Sequence, residues 1–244
     1  MDLVIDLGNT NKKLALFQNG KLAELHLLAD ITTKFIRELI ERVPGIEHCI
    51  LSSVINHTAS FTRFLAGQFN FIELHENTPV PIINLYKQPD TLGKDRLAAA
   101  VAGASIFPGK DVLVINMGSC ITYDFISDQS EYLGGAISPG MKMRFLALNT
   151  FTGKLPLVTH KEKFELIGSD TESSVLSGVL NGISCELEGT VTQYLSKYSG
   201  LKVILSGGDL IYFDKRLKIS IFAVPNVVLQ GLFQILAFNV NKTN

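Results

Sequence analysis

The 244-residue sequence predicts an α/β protein made of two similar domains. Three observations lead there. Short continuous apolar runs end in Gly, Asn or Ser. Helical patterns with three- and four-residue spacing lie between those runs. A segment near the N-terminus is echoed 110 residues later.

Taken in order, Leu3-Val4-Ile5 is an apolar run of the kind found in strands covered on both faces. Ile31, Phe35, Ile36, Leu39, Ile40 and Val43 describe a helix that Pro44-Gly45 stops. Cys49-Ile50-Leu51 is a second buried strand. Arg96 to Ile106 is an Ala-rich helix that ends at Pro108-Gly109. Val112-Leu113-Val114-Ile115 is again a strand. A long helix carries Leu176, Leu180, Ile183, Leu187, Val191 and Leu195 on one stripe. Val203-Ile204-Leu205 is a strand, and a last helix runs from about Val227 to Phe238.

The echo sets the domain organisation. Leu3, Val4, Ile5 and Gly8 fall on Leu113, Val114, Ile115 and Gly118, with Asp6 on Asn116. Each copy reads as strand, Gly turn, strand. Two domains are expected, 1–109 and 110–244, joined at Pro108-Gly109-Lys110 and facing each other across a cleft.

Composition narrows the function. The formal charge is -1, from 22 basic and 23 acidic residues. That balance offers no basic face for nucleic acid and none for an acidic membrane surface. The three cysteines are far apart in sequence, which suggests a reduced compartment and a cytoplasmic protein. No apolar run approaches the roughly 20 residues that span a bilayer.

Five segments can carry chemistry. In Asp6-Leu7-Gly8-Asn9-Thr10, a carboxylate at a strand end suits hydrated Mg²⁺, and Gly8 lets backbone N–H groups approach a phosphate. Asn9 and Thr10 add neutral donors, and Lys12 and Lys13 add charge. An ordinary hairpin turn uses the same residue types; the repetition at 116–120 favours phosphate binding. There Gly118, Ser119 and Thr122 are the candidate donors. Gly93-Lys94-Asp95-Arg96 opens the Ala-rich helix. Asp95 is either a cap or a base for a substrate hydroxyl, and Arg96 suits a carboxylate. Gly134-Gly135-Ala136-Ile137-Ser138-Pro139-Gly140 forms a loop that can press on a ligand. Ser206-Gly207-Gly208 runs a strand straight into a Gly pair.

In this order the motifs resemble the type III pantothenate kinases. They are Asp6-x-Gly-Asn-Thr10, Gly93-x-Asp-Arg96, Gly118-x-x-x-Thr122-x-Asp124, Gly134-Gly-x-Ile-x-Pro-Gly140 and Ser206-Gly-Gly208. Ser52-Ser53-Val54, Tyr86-x-x-Pro89 and Gly168-x-Asp-Thr171 extend the resemblance over nearly the whole chain. The family belongs to the acetate and sugar kinase, Hsc70 and actin superfamily. The resemblance therefore implies two ribonuclease H-like (actin-like ATPase) domains, each a mixed sheet flanked by helices. It implies ATP-dependent formation of 4′-phosphopantothenate, the first step toward coenzyme A. It makes Asp95 the general base and Asp6 the residue that positions Mg²⁺ and phosphates. Tyr86, Gly93, Lys94 and Arg96 would line the pantothenate pocket. Gly8, Asn9, Thr10, Lys13, Ser119, Thr122, Gly207 and Gly208 would lie near ATP. A homodimer is implied, with Thr171 reaching the pantothenate of a neighbouring subunit.

One position departs from the family pattern. The second phosphate turn of the family begins with Asp, tied there to a monovalent cation such as K⁺ or NH₄⁺. This chain has Asn116. A neutral amide offers only a carbonyl dipole, so a weaker cation site is expected. Two alternatives stay open from the residues alone: a nucleotide- or pantothenate-binding regulator without activity, and a kinase for another hydroxy acid.

Overall fold

The computed structural model describes residues 1–8, 10–161 and 163–243. The chain forms two compact units. The first comprises Met1–Ile106, Ser130–Tyr132 and the C-terminal segment from Val227; the second comprises Phe107–Gln129 and Leu133–Asn226.

In the first unit, β1 (Asp2–Leu7), β2 (Lys12–Gln18) and β3 (Lys21–Leu28) form an antiparallel meander. β4 (His48–Ser53) adds parallel to β1, and β5 (Asn70–Glu73) adds parallel to β4. The sheet order is β3-β2-β1-β4-β5. Leu3, Ile5, Leu14, Leu16 and Leu51 lie in one core cluster with Ile36 and Leu39 of α1 (Thr33–Arg42) and Phe61 and Leu65 of α2 (Ala59–Gln68). Val4, Ala15 and Ile50 are fully buried on the opposite face. Covering on both faces is the reason β1 reads as an unbroken apolar run.

That opposite face meets α7 (Val227–Thr243), which packs along α3 (Lys94–Ile106). Phe17 of β2 stacks on Phe233 of α7 with ring centroids 4.4 Å apart. The domain boundary read from the sequence, 110–244, leaves this last helix with the second domain. In the structure it belongs with the first unit. The physical reason lies in small residues: Ala98 to Ala100 leave room for a close helix, and Gly231 fills none of it. A Cβ at 231 would sit 1.8 Å from the Ala98 carbonyl oxygen. Gly231→Ala is expected to push α7 off α3 and cost about 1–3 kcal/mol. A fall in the denaturant midpoint checks this; an unchanged midpoint would refute the close packing.

β6 (Ile83–Asn84) pairs in parallel with Glu131 and Tyr132, which open β9 (Glu131–Pro139). The second unit repeats the first unit's topology. β7 (Val112–Met117) pairs antiparallel with β8 (Cys120–Ile126), and β9 lies beside β8. β10 (Lys202–Ser206) adds parallel to β7, and β11 (Phe222–Ala223) parallel to β10. The order β11-β10-β7-β8-β9 matches that of the first sheet, with β7 in the place of β1. The echo of fifteen residues thus marks a repeated five-strand fold.

The second core lies between this sheet and two helices, α4 (Met141–Thr150) and α5 (Thr171–Lys197). Leu176, Leu180, Ile183, Leu187 and Val191 of α5 share a cluster with Leu113, Ile115, Ile121, Tyr123 and Phe125. Asp170 caps α5 by accepting from the Ser173 N–H at 2.7 Å, and the Asp170 N–H donates to Ser173 Oγ at 3.0 Å. The short α6 (Leu210–Phe213) closes on Phe213, which is buried. Among the described residues, no helix is long and apolar enough to cross a membrane. All three cysteines are free.

Candidate active site

Asp6 sits at the end of β1 and is 8% exposed. Its carboxyl is pushed up to about 7, first by burial and then by the nearby charge of Asp95; Lys13 opposes the shift. Lys13 is the cross-strand partner of Asp6 in β2. Lys12, the other lysine of the turn, is engaged elsewhere: it donates to the Ala29 carbonyl at 2.6 Å and pairs with Asp30 at 3.6 Å. Thr10 is exposed in the turn, and Gly8 precedes it. Asn9 lies outside the described residues.

Asp95 reaches this neighbourhood because α3 begins at Lys94, one residue after Gly93. The Asp95 carboxylate is thus in the first helical turn, where the helix dipole favours negative charge. Its Oδ1 accepts the Arg96 N–H at 2.9 Å, which sets the direction of the carboxylate. Gly93 lies close beside it: a Cβ there would sit 2.6 Å from Asp95 Oδ1, so a side chain at 93 would turn that carboxylate. Arg96 is 6% exposed, and its guanidinium lies 5.8 Å from the centre of the Tyr86 ring. Tyr86 in turn stacks on Tyr132 at 6.0 Å. The first unit therefore brings together Asp6, Lys13, Tyr86, Gly93, Lys94, Asp95 and Arg96.

A hard divalent cation fits this set. Two carboxylates close enough for one to raise the pKa of the other hold more negative charge than Lys13 offsets. Mg²⁺ is commonly held by one or two carboxylates, with waters and phosphate oxygens completing its shell. Among the described residues, no cluster of three or more His, Cys, Asp or Glu forms a cage.

In the second unit the hairpin turn is only two residues, Gly118 and Ser119, between β7 and β8. Gly118 N–H donates to the Cys120 carbonyl at 2.9 Å. Asn116 stands opposite Thr122 in the ladder. Thr122 is 7% exposed, and its Oγ1 has no hydrogen-bond partner among the described residues. Asn116 and Thr122 thus present neutral oxygens, and Asp124, two residues along β8, is a fully buried acid on the same strand.

Two further loops press on that turn. Gly207, at φ 99°, lies so close to Met117 that a Cβ would meet its carbonyl oxygen at 2.1 Å. Gly140 donates from its N–H to the Ser119 carbonyl at 3.1 Å. Gly208 has open space around its Cβ direction. Asp209 follows, its carboxyl pushed up to about 6 by burial. The Gly turn, the Pro-Gly loop and the Gly pair are therefore three parts of one surface.

Thr171 is the first residue of α5 and is exposed. It lines a groove of about 670 Å³ with Leu148, Leu155, Gly168 and Gly178. Sequence reasoning did not find Tyr132, which backs Tyr86, nor Arg144 and Glu186. Their partners are 46 and 42 positions away, and no local motif marks them.

Comparison with known proteins adds the following. A family model described as type III pantothenate kinase matches residues 2–193. A protein named type III pantothenate kinase from Christiangramia forsetii is 46% identical over 241 residues, covering 98% of this chain and 99% of that one. A solved Campylobacter jejuni structure, described as a conserved Baf family transcriptional activator, is 22% identical with a TM-score of 0.63. It covers 98% of this chain and 99% of its own. A glucokinase from an Antarctic psychrotroph has a TM-score of 0.53 at 14% identity, over 97% and 98% of the two chains. These structural likenesses carry the fold alone: two ribonuclease H-like units of mixed sheet flanked by helices.

Proposed function

The chain belongs to the type III pantothenate kinase family, and from that premise we propose that it transfers the γ-phosphoryl group of ATP to the primary hydroxyl of pantothenate. The product is 4′-phosphopantothenate, the first step toward coenzyme A. The observation that carries this reading is the acid pair of the first unit, Asp6 with Asp95, next to Arg96 and Tyr86.

Each residue has a role in this proposal. Asp95 accepts the proton of the substrate hydroxyl as its oxygen attacks the γ-phosphorus. Arg96 pairs with the pantothenate carboxylate, held in place by the Tyr86 face. Gly93 and Lys94 line the same pocket. Asp6 holds Mg²⁺, and Lys13 adds positive charge beside it. Bound there, Mg²⁺ would neutralise charge on the β- and γ-phosphates. Gly8, Asn9 and Thr10 offer the first turn to ATP. Gly118, Ser119, Thr122, Gly207 and Gly208 offer the second unit's surface to ATP. Asn116 is the position for K⁺ or NH₄⁺, and its neutral amide makes that dependence weak. We place the enzyme in the cytoplasm, consistent with three free cysteines.

A coupled assay with ATP, Mg²⁺ and pantothenate, with and without K⁺, tests the activity. Turnover that K⁺ changes little is the expected result. Binding of ATP without turnover would make the chain a regulator. Turnover on other hydroxy acids alone would make it a different kinase.

A homodimer belongs to the same proposal. Gly178, Gly182, Cys185 and Gly189 form an exposed stripe along α5. A Cβ at Gly178, Gly182 or Gly189 would meet nothing within 4 Å. Each helical glycine costs about 1 kcal/mol relative to alanine, and none of the described residues requires its smallness. A second copy of α5 does. Beside the stripe, Phe151, Leu166 and Ile167 are 86%, 78% and 83% exposed, an apolar surface suited to burial at an isologous contact. This would bring Thr171 to the partner's substrate. Gly182→Leu is expected to give a folded monomer with raised KM for pantothenate. Sedimentation velocity checks it, and a variant that remains dimeric refutes this interface.

A further inference from the structure

A polar network links α5, α4 and the end of β9 to the second unit's hairpin turn. Arg144 on α4 donates through Nη2 to Glu186 Oε2 of α5 and to Ser138 Oγ, the latter at 2.9 Å. Its Nε donates to the Pro139 carbonyl at 2.8 Å. Tyr123 Oη donates to Glu186 Oε1 at 2.9 Å. Arg144 thus ties the last two residues of β9 to α5 with three donors in one rigid fork.

The next residue is Gly140. Its N–H donates to the Ser119 carbonyl, and a Cβ there would lie 2.2 Å from the Gly118 oxygen and 2.5 Å from the Ser119 oxygen. The contact therefore runs without a gap from Glu186 through Arg144, Ser138 and Pro139 to Gly140, and ends on Gly118-Ser119. A two-residue turn containing glycine is conformationally loose by itself. Here it is held from outside.

Three facts indicate that the network is tight. The side chains of Arg144 and Glu186 are only 21% and 27% exposed. Tyr123 is 2% exposed. Burial opposes ionisation of Glu186, yet the bonds from Arg144, Ser138 and Tyr123 outweigh it and hold the carboxyl below its ordinary range. Glu186 also answers the Arg144 charge. Arg144 is therefore committed to the protein and is not a phosphate ligand in waiting.

We propose that Arg144 and Glu186 are positioning residues for nucleotide: they hold Gly140 against Gly118-Ser119 and thereby set the affinity for ATP. This rests on the reading that the turn meets the phosphates. The pair lies outside the acid cluster of the first unit, so its loss acts on ATP affinity and not on the hydroxyl substrate. Two positioning residues in one network also predict non-additivity, since either loss frees the same loop.

The test compares Glu186→Gln, Arg144→Gln, Arg144→Lys and the double Gln variant with the unaltered protein. Steady-state kinetics give kcat and both KM values, and calorimetry gives the Kd of Mg–ADP. Each Gln variant is expected to raise KM for ATP and the Kd of Mg–ADP about tenfold, as loss of a charged hydrogen bond predicts. KM for pantothenate is expected to stay within about twofold, and the double variant to match the weaker single one. Arg144→Lys keeps the charge without the fork and is expected to behave like Arg144→Gln.

Unchanged ATP and ADP affinity overturns the proposal. So does a joint shift of both KM values, or a loss of kcat that only follows the folded fraction, because those mark a purely structural pair. If Arg144→Gln does not fold, Ser138→Ala removes one branch and is expected to weaken Mg–ADP about threefold; no weakening overturns the proposal. If the unaltered protein binds Mg–ADP but does not phosphorylate pantothenate, the proposed activity fails while the binding comparison still decides the brace. If it binds no Mg–ADP, the brace proposal falls too.

Discussion

Asp95→Asn is expected to lower kcat by about 10²–10⁴-fold, the range that a positioned general base supplies, with the fold intact. The first turn of α3 places the carboxylate where the helix dipole favours charge, and the Arg96 N–H fixes the orientation of Oδ1 at 2.9 Å. Asparagine keeps the shape and the acceptor oxygen but has no basicity. KM for ATP should change little. The substitution carries a second signature. Asp95 is the main charge that raises the Asp6 carboxyl toward 7, after burial. Removing it should lower the Asp6 pKa, which titration of a labelled Asp6 carboxyl by NMR would detect. Near-normal turnover would remove Asp95 from the base role. An unmoved Asp6 would show that the two carboxylates are not neighbours.

Asp6→Asn is expected to abolish most activity and yet to stabilise the metal-free protein above neutral pH. Activity falls because the variant loses the carboxylate proposed to hold Mg²⁺. Stability rises for a separate reason. The folded-state pKa of Asp6, about 7, lies above its ordinary value of 3.8. Between those two values the folded state holds a proton that the unfolded state has released. The stability of the unaltered protein therefore drops as pH rises through this window, and the drop is complete above about pH 7. At its largest it is roughly 4 kcal/mol, at about 1.4 kcal/mol per pKa unit. Asparagine carries no such penalty. The advantage of Asp6→Asn should be absent near pH 3 and greatest at pH 8, and Mg²⁺ with ATP should narrow it by stabilising only the unaltered protein. Thermal melts of both proteins across pH 3–8 measure this. An advantage that does not depend on pH would mean that the carboxyl is not held near 7.

The two substitutions separate two demands on one buried site. Asp95, the proposed base, stands at a helix start, a position that tolerates its charge. Asp6 is costly in the empty fold, because burial and a like-charged neighbour both oppose its ionisation. A site of this kind trades resting stability for a strong local field, as the proposed cation and phosphate binding requires.

Local features of the chain were legible without coordinates. Apolar runs such as Leu3-Val4-Ile5 and Val112–Ile115 announced strands because covering on both faces removes polar alternation. Gly8, Gly118 and the Gly207-Gly208 pair announced turns because few other residues allow backbone so close to a ligand or to another strand. Gly93-Lys94-Asp95-Arg96 announced the start of a helix. Matching of the two turns identified a repeat, and the repeated sheet order bears that out.

Other features depend on groups far apart in sequence and close in space. The last helix was assigned by its position in the chain to 110–244, whereas Gly231 and the Ala-rich face of α3 place it with the first unit. Tyr132 stands behind Tyr86, and Glu186 holds Arg144, across separations that no local pattern encodes. The shift of Asp6 arises only once burial and Asp95 meet at one point. The sequence by itself determined where the backbone turns on glycine and which acid starts a helix, since torsional freedom and capping are properties of neighbouring residues. Only the tertiary structure decided the charge state of Asp6 and the support of the Gly118-Ser119 turn, since desolvation and through-space fields exist only after the chain has closed on itself.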